Sequence, residues 1–226
     1  MEIEICLYIV PTPIGNLSDI TLRAIEVLSG VDIIACEDTR RSGLLLKSLN
    51  IPNRSRLRSY FDFNEERRSL ELIDEIRSGK SVALISDAGT PCISDPGFRL
   101  VRLARNSGIK IISLPGAVAF VPSLVASGFP IHSFTFFGFP PQKKGRQLFL
   151  KNAFSNPHTL VFYESSHRIL RFLKEISSID SSRQIFVSRE ISKIYEEHLC
   201  FSAMDFLCGN VQITDKGEFV VVVSSL

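Results

Sequence analysis

Side chains able to do chemistry gather at a few places in this sequence. Glu37-Asp38-Thr39-Arg40 and Tyr163-Glu164-Ser165-Ser166-His167-Arg168 each set acids beside an arginine, directly after an apolar run rich in β-branched residues. Carboxylates so placed, Asp38 and Glu164 among them, can accept a proton or hold a cation; ordinary ion pairs and helix caps account for the same residues. A third place is Ser86-Asp87-Ala88-Gly89-Thr90-Pro91-Cys92-Ile93-Ser94-Asp95-Pro96-Gly97. Its small and turn-forming residues force an irregular backbone that offers amides and carbonyls to a ligand, while Asp87 or Asp95 can hold a hydroxyl or a positive centre. The alternative there is a tight turn with Asp95 as a helix N-cap. Two further loops, Val10–Leu17 and Leu114–Ala119, carry Pro13 and Gly116 where strands end.

Other chemistries lack their residues. The Val10–Leu17 loop stands where a dinucleotide fingerprint would sit but has one glycine and two prolines, and no GxGxxG, Walker loop or HExxH occurs. His132, His158, His167 and His198 lie in no nucleophile context, and no metal-ligand spacing appears. Five cysteines, Cys6, Cys36, Cys92, Cys200 and Cys208, form no CxxC pair and read as small hydrophobes in a reducing cytosol. Glu2 and Glu4 stand where an export signal needs positive charge, so a cytoplasmic location is expected. The charge-free run 111–142 is broken by Pro115, Gly116, Pro122, Gly128 and Pro130, which predicts buried interior rather than a membrane span.

The elements that position these loops follow from periodicity. Ile5–Val10, Val31–Cys36, Ser81–Ser86 and Ile109–Leu114 read as strands. Between them, helices are predicted from a Ser18 or Asp19 cap to Leu28, over Thr39–Leu49 and Glu65–Arg77, and from an Asp95-Pro96 start to about Asn106. This alternation predicts a largely parallel sheet with right-handed crossovers. After Pro115-Gly116 the pattern restarts: a helix near Ala117–Ser127, strands at Phe134–Gly138, Thr159–Tyr163, Gln184–Ser188 and Phe219–Val223, and a helix over Ser166–Ile176. Two α/β domains, 1–114 and 115–226, are expected, with a ligand cleft between them and catalytic groups at strand ends.

Taken in order, Tyr8–Asp19, Glu37–Arg40, Ser86–Gly97, Leu114–Ala117, Gly138-Phe139-Pro140-Pro141, Phe162–Arg168, Arg189-Glu190 with Lys193, and Lys216–Phe219 resemble the tetrapyrrole methylase superfamily and, within it, the ribosomal RNA small subunit methyltransferase I family. The resemblance implies S-adenosyl-L-methionine as methyl donor, a homodimer, and 2′-O-methylation of a cytidine ribose in the decoding centre of 16S rRNA in the 30S subunit. Donor contacts are implied for Pro13, Ala88, Gly89, Thr90, Ile93, Ala117, Val118, Ala119, Tyr163 and Phe219, and Asp87, Glu164 and Asp38 become the candidate catalytic carboxylates. A methylase of a corrin or other tetrapyrrole precursor, and a non-catalytic donor-binding factor for ribosome assembly, are the competing readings. Family members often continue into a small helical domain past the Lys216–Phe219 segment; this sequence runs to Leu226, which throws the expected RNA affinity onto the core.

Net charge is +2, yet it is unevenly spread. Residues 40–60 carry six basic and no acidic side chains, and residues 96–163 carry eight basic and none acidic. Arg40, Arg41, Arg54, Arg56 and Arg58, flanked by Tyr60, Phe61 and Phe63, form one expected RNA-binding block; Lys143, Lys144 and Arg146 form the other. Helix faces with acids nearby in space are the plainer account of both blocks.

Overall fold

In the computed structural model, residues 2–52 and 56–225 are described. The chain divides into two compact units, Met1–Val118 and Ala119–Leu226. The division falls between Val118 and Ala119, inside the Leu114–Ala119 loop.

The first unit runs β1 (Leu7–Ile9), α1 (Leu22–Gly30), β2 (Ile33–Cys36), α2 (Thr39–Ser48), β3 (Leu57–Ser59), α3 (Glu65–Arg77), β4 (Val82–Ile85), α4 (Phe98–Asn106) and β5 (Ile111–Ser113). Its strands pair in parallel in the order β3-β2-β4-β1-β5. β2 and β4 are buried along their whole length because both faces of the sheet are covered, which is why they read as unbroken apolar runs. Tyr8, Val10, Ile34 and Ala83 pack on one side of the sheet, while Leu7, Ile9, Leu72 and Leu100 pack on the other.

Two helix starts differ from expectation. A 3-10 turn occupies Leu17–Asp19, and Thr21 then caps α1 by accepting from the Ala24 N–H. α4 begins at Phe98 rather than at Pro96: Gly97 holds φ 141°, and Glu65 of α3 accepts from the Gly97 and Arg99 N–H groups at 3.1 and 3.3 Å. A carboxylate from a neighbouring helix therefore does the work expected of Asp95.

The second unit contains α5 (Phe120–Ala126), β6 (Phe134–Phe136), α6 (Arg146–Phe154), β7 (Thr159–Ser165), α7 (Ile169–Ile179), β8 (Gln184–Arg189), β9 (Glu197–Ser202), α8 (Ala203–Leu207) and β10 (Glu218–Val223). Its sheet order is β6-β7-β10-β8-β9. Only β6 and β7 pair in parallel; β10 lies antiparallel to both β7 and β8, and β9 antiparallel to β8. The expected largely parallel sheet holds for the first unit alone. The run 111–142 is also not wholly interior, since Val121, Val125 and Phe139 stand exposed. No helix among the described residues is long and apolar enough to cross a membrane.

Candidate functional site

The carboxyl ends of β1, β2, β4 and β5 release loops that are tied to one another. Thr12 and Gly89 form an isolated bridge, and the Thr12 hydroxyl donates to the Ser86 carbonyl at 3.1 Å. The Ser86 hydroxyl donates to the Gly89 carbonyl at 3.1 Å, and the Thr90 hydroxyl donates to the Ala117 carbonyl at 2.8 Å. Gly89 adopts φ 85°, and a Cβ there would come within 3.3 Å of Ile14. Gly116 has no room for a side chain at all, because a Cβ would lie 2.5 Å from Pro11. Pro13, Thr90, Ile93, Ala117 and Val118 are thus half-buried, and Ala88 exposed, along one framework of fixed backbone.

Acidic groups stand at the same strand ends. Asp38 caps α2, accepting from the Arg40 N–H at 2.8 Å and from its guanidinium at 2.9 Å. Those bonds hold its carboxyl down at about 2. Asp87 accepts from the Asp38 N–H at 3.2 Å and from Arg41 at 3.0 Å. Burial, with Glu37 and Asp87 adding like charge, pushes the Asp95 carboxyl up to about 7. Glu37 is raised as well, by burial first and then by Asp87. The sequence offers Asp95 either as a carboxyl able to hold a hydroxyl or as a helix cap; the structure withdraws the cap, and burial with acidic neighbours raises its proton affinity towards neutrality.

The second unit brings its expected residues together differently. The Tyr163 hydroxyl accepts from the Phe120 N–H at 3.3 Å, where α5 starts directly after Ala119. Val220 pairs with Tyr163 and shares its face of the sheet, whereas Phe219 pairs with Glu164 and is buried among Phe162 and Phe172 on the opposite face. The Tyr163 and Phe219 side chains therefore lie on opposite faces of the sheet, so Phe219 can meet a ligand beside Tyr163 only through its backbone. Glu164 is also not an open base. Its side chain is 0% exposed, 2.8 Å from Arg168 and 3.5 Å from Arg146.

The basic blocks separate in the same way. Arg40 and Arg41 are well exposed, at 89% and 72%, although each holds an acid. Arg56 donates to the carbonyls of Val31 at 2.6 Å and Pro52 at 3.0 Å, a structural use of its guanidinium. Arg58 donates to the Leu57 carbonyl, and Arg54 lies outside the described residues. Phe63 is 96% exposed against Phe61, but Tyr60 is buried and donates to Glu65 at 2.9 Å, so it is not a stacking surface. Lys143 and Lys144 are exposed, while Arg146 is buried, which corrects its expected contact with RNA.

One arrangement has no signal in the sequence. His198 stands 3.0 Å from the Ser188 hydroxyl through Nδ1 and 2.8 Å from Glu196 through Nε2. Ser188 in turn lies 2.7 Å from the Ser123 hydroxyl. Both serines are fully buried, so this chain of bonds fastens α5 to β8 rather than presenting a nucleophile. Among the described residues, no His, Cys, Asp and Glu side chains group as a metal site.

Residues 6–201 match the family model of Tetrapyrrole (Corrin/Porphyrin) Methylases. The chain is similar to the Ribosomal RNA small subunit methyltransferase I of Escherichia coli O157:H7, 48% identical over 84% of this chain and 66% of the relative's length, just under two thirds. It is similar to the protein of the same name from a Hydrogenobaculum species, 44% identical over 96% of this chain and 95% of that one. Among solved structures, diphthine synthase superposes with a TM-score of 0.73 at 14% identity, covering 96% of this chain and 89% of that one. A uroporphyrin-III C-methyltransferase from Thermus thermophilus, solved with S-adenosyl homocysteine, gives 0.63 at 19% identity over 96% of each chain.

Proposed function

Because the chain belongs to the ribosomal RNA small subunit methyltransferase I family of the tetrapyrrole methylases, we propose that it transfers a methyl group from S-adenosyl-L-methionine to 16S rRNA of the small ribosomal subunit, with the 2′-oxygen of a cytidine ribose as acceptor. The observation that carries this reading is identity of 44–48% to rRNA methyltransferase relatives over most of the chain. The tetrapyrrole-acting structures share only 16–20% identity and argue for the fold alone. A cytoplasmic homodimer acting on 30S particles belongs to the same proposal.

The residues present suit a cationic donor. Asp38 and Asp87, with Glu37 beside them, put negative charge at one set of strand ends, and Gly89 and Gly116 leave backbone where a side chain would intrude. Ala88, Gly89, Thr90, Ile93 and Ala117, with Pro13, are proposed to hold the donor through that backbone, and Val118, Ala119 and Tyr163 to contribute from the following segment. When bound, S-adenosyl-L-methionine supplies an electrophilic methyl on a sulfonium. The tied loops fix the surface on which the acceptor oxygen is aligned, and alignment accounts for much of the rate in such transfers. Asp95 is the carboxyl best suited to take up the hydroxyl proton, since its affinity for one is matched to neutral pH. Asp38, held as a carboxylate by Arg40, and Asp87, committed to Arg41, are proposed to stabilise positive charge rather than to exchange protons.

Incubation with labelled S-adenosyl-L-methionine and undermethylated 30S subunits, followed by mapping of ribose methylation, tests the reading. Label at a single cytidine ribose is expected. Label in a tetrapyrrole instead, or donor binding with no transfer to RNA, would overturn it.

A further inference from the structure

Arg146 was expected at the surface, and its burial requires a reason. The side chain is 2% exposed. Its Nε donates to Glu175 at 2.7 Å, one terminal nitrogen donates to the Pro141 carbonyl at 3.0 Å, and the other reaches Glu164 at 3.5 Å. The guanidinium lies 5.6 Å from the centre of the Phe172 ring. Both carboxylates are fixed in turn: Glu164 forms an ion pair with Arg168 at 2.8 Å and accepts from the Ser165 N–H at 2.8 Å, and Glu175 accepts from Arg171 at 2.9 Å. Buried ion pairs of this kind are seldom more stabilising than apolar residues of equal volume, so what they add is a single defined geometry.

The geometry they define is that of the loop between β6 and α6. Pro141, whose carbonyl Arg146 holds, is in the middle of it. At one end the Gly138 carbonyl accepts from the Tyr163 N–H at 2.9 Å, and at the other the Arg146 N–H donates to the Lys143 carbonyl at 3.3 Å. Gly138 and Gly145 take φ of 61° and 80°, turning the chain at both ends. What the loop presents outward is Phe139, half exposed with its ring 5.5 Å from that of Tyr163, and the exposed Lys143 and Lys144. No carboxylate stands within the loop.

We propose that Arg146, Glu164 and Glu175 are positioning residues that preform residues 138–145 as an RNA-strand contact, Lys143 and Lys144 meeting phosphate and Phe139 stacking on an unpaired base. This rests on the rRNA reading above. Holding the loop in advance removes the ordering cost that a free lysine loop would bear on binding.

The test uses Arg146→Lys and Glu175→Gln in the full chain, beside Lys143→Ala/Lys144→Ala and Phe139→Ala. Hydrogen exchange over residues 138–145, donor affinity, and KM and kcat on 30S subunits are measured. Both clamp variants are expected to speed loop exchange and raise KM about tenfold, the scale of losing a phosphate contact or two at low salt, with kcat and donor affinity little changed. Combining Arg146→Lys with the double lysine variant should add nothing further. Unchanged exchange and KM in both folded clamp variants, or full additivity with the lysine changes, would sink the proposal. A wild-type chain that transfers no methyl to 30S subunits sinks the rRNA reading instead, and the exchange data keep the two failures apart.

Discussion

Thr12 and Gly89 exchange backbone hydrogen bonds in both directions, Thr12 N–H to Gly89 at 2.8 Å and Gly89 N–H to Thr12 at 3.0 Å. The loop after β1 and the loop after β4 are therefore one structure, and the Pro11–Gly116 contact adds the loop after β5 to it. Gly116→Ala drives a methyl into Pro11 and is expected to cost about 1–3 kcal/mol, the usual range for overpacking. Because the displaced segment is the proposed donor-binding backbone, titration calorimetry should show weaker S-adenosyl-L-methionine binding as well. A variant of full affinity would separate these loops from the donor.

Asp95 gives stability a distinct pH dependence. The folded chain keeps the Asp95 proton up to about 7, whereas the unfolded chain releases it near 3.8. Between those values the folded state binds more protons, so this group makes stability fall as pH rises and levels off above about 7. Asp95→Asn should accordingly be more stable than the wild type at about pH 8, with the advantage shrinking towards about pH 5. Urea unfolding at both values checks the sign, and an equal advantage at each would contradict it. Methyl transfer by the same variant should be strongly reduced if Asp95 takes the hydroxyl proton.

Asp87 and Glu164 look alike in the sequence but should fail differently. Glu164→Ala leaves Arg146 and Arg168 short of a buried partner and is expected to destabilise the second unit by about 3–5 kcal/mol. Asp87→Asn, at a partly exposed carboxylate, should leave thermal unfolding nearly unchanged while weakening donor binding. Unfolding curves and donor titrations on both variants decide the matter; equal destabilisation would refute the distinction.

Salt dependence should sort the arginines. Removing Arg40 or Arg41, both exposed, is expected to reduce the slope of log affinity for 16S rRNA fragments against log salt by about 0.7 per contact. Arg56→Ala should instead lower stability, since its guanidinium holds the Val31 and Pro52 carbonyls. An unaltered slope in Arg40→Ala/Arg41→Ala would remove that surface from RNA binding.

The first unit was legible because parallel strands covered on both faces, such as Ile33–Cys36, leave short β-branched apolar runs that alternate with helical periodicity. The second was legible only in part. β9, Glu197–Ser202, has just one buried residue, and Leu148, Phe149 and Leu150 in α6 follow one another without a helical interval. Pairing direction was hidden too, because whether β10 lies along or against β7 is a property of the chain's path. At the site, the three loops could be found from turn residues, but not the proton affinity of Asp95, which comes first from its burial and then from the like charge of Glu37, brought in from the end of β2, and of Asp87. Arg146 misled for a related reason: a charged side chain reads as surface until its buried partners are known.

The position of β10 bears on how the chain is made. The first unit has all five of its strands once residue 113 has left the ribosome. In the second, residues 218–223 form the middle strand, between β7 and β8. Until they emerge, β6–β7 and β8–β9 remain two ribbons whose facing edges lack the strand that joins them. Synthesis thus passes through an interval in which a finished half trails an unfinished one whose apolar edges are open to mispairing, the window in which a chaperone would be of most use.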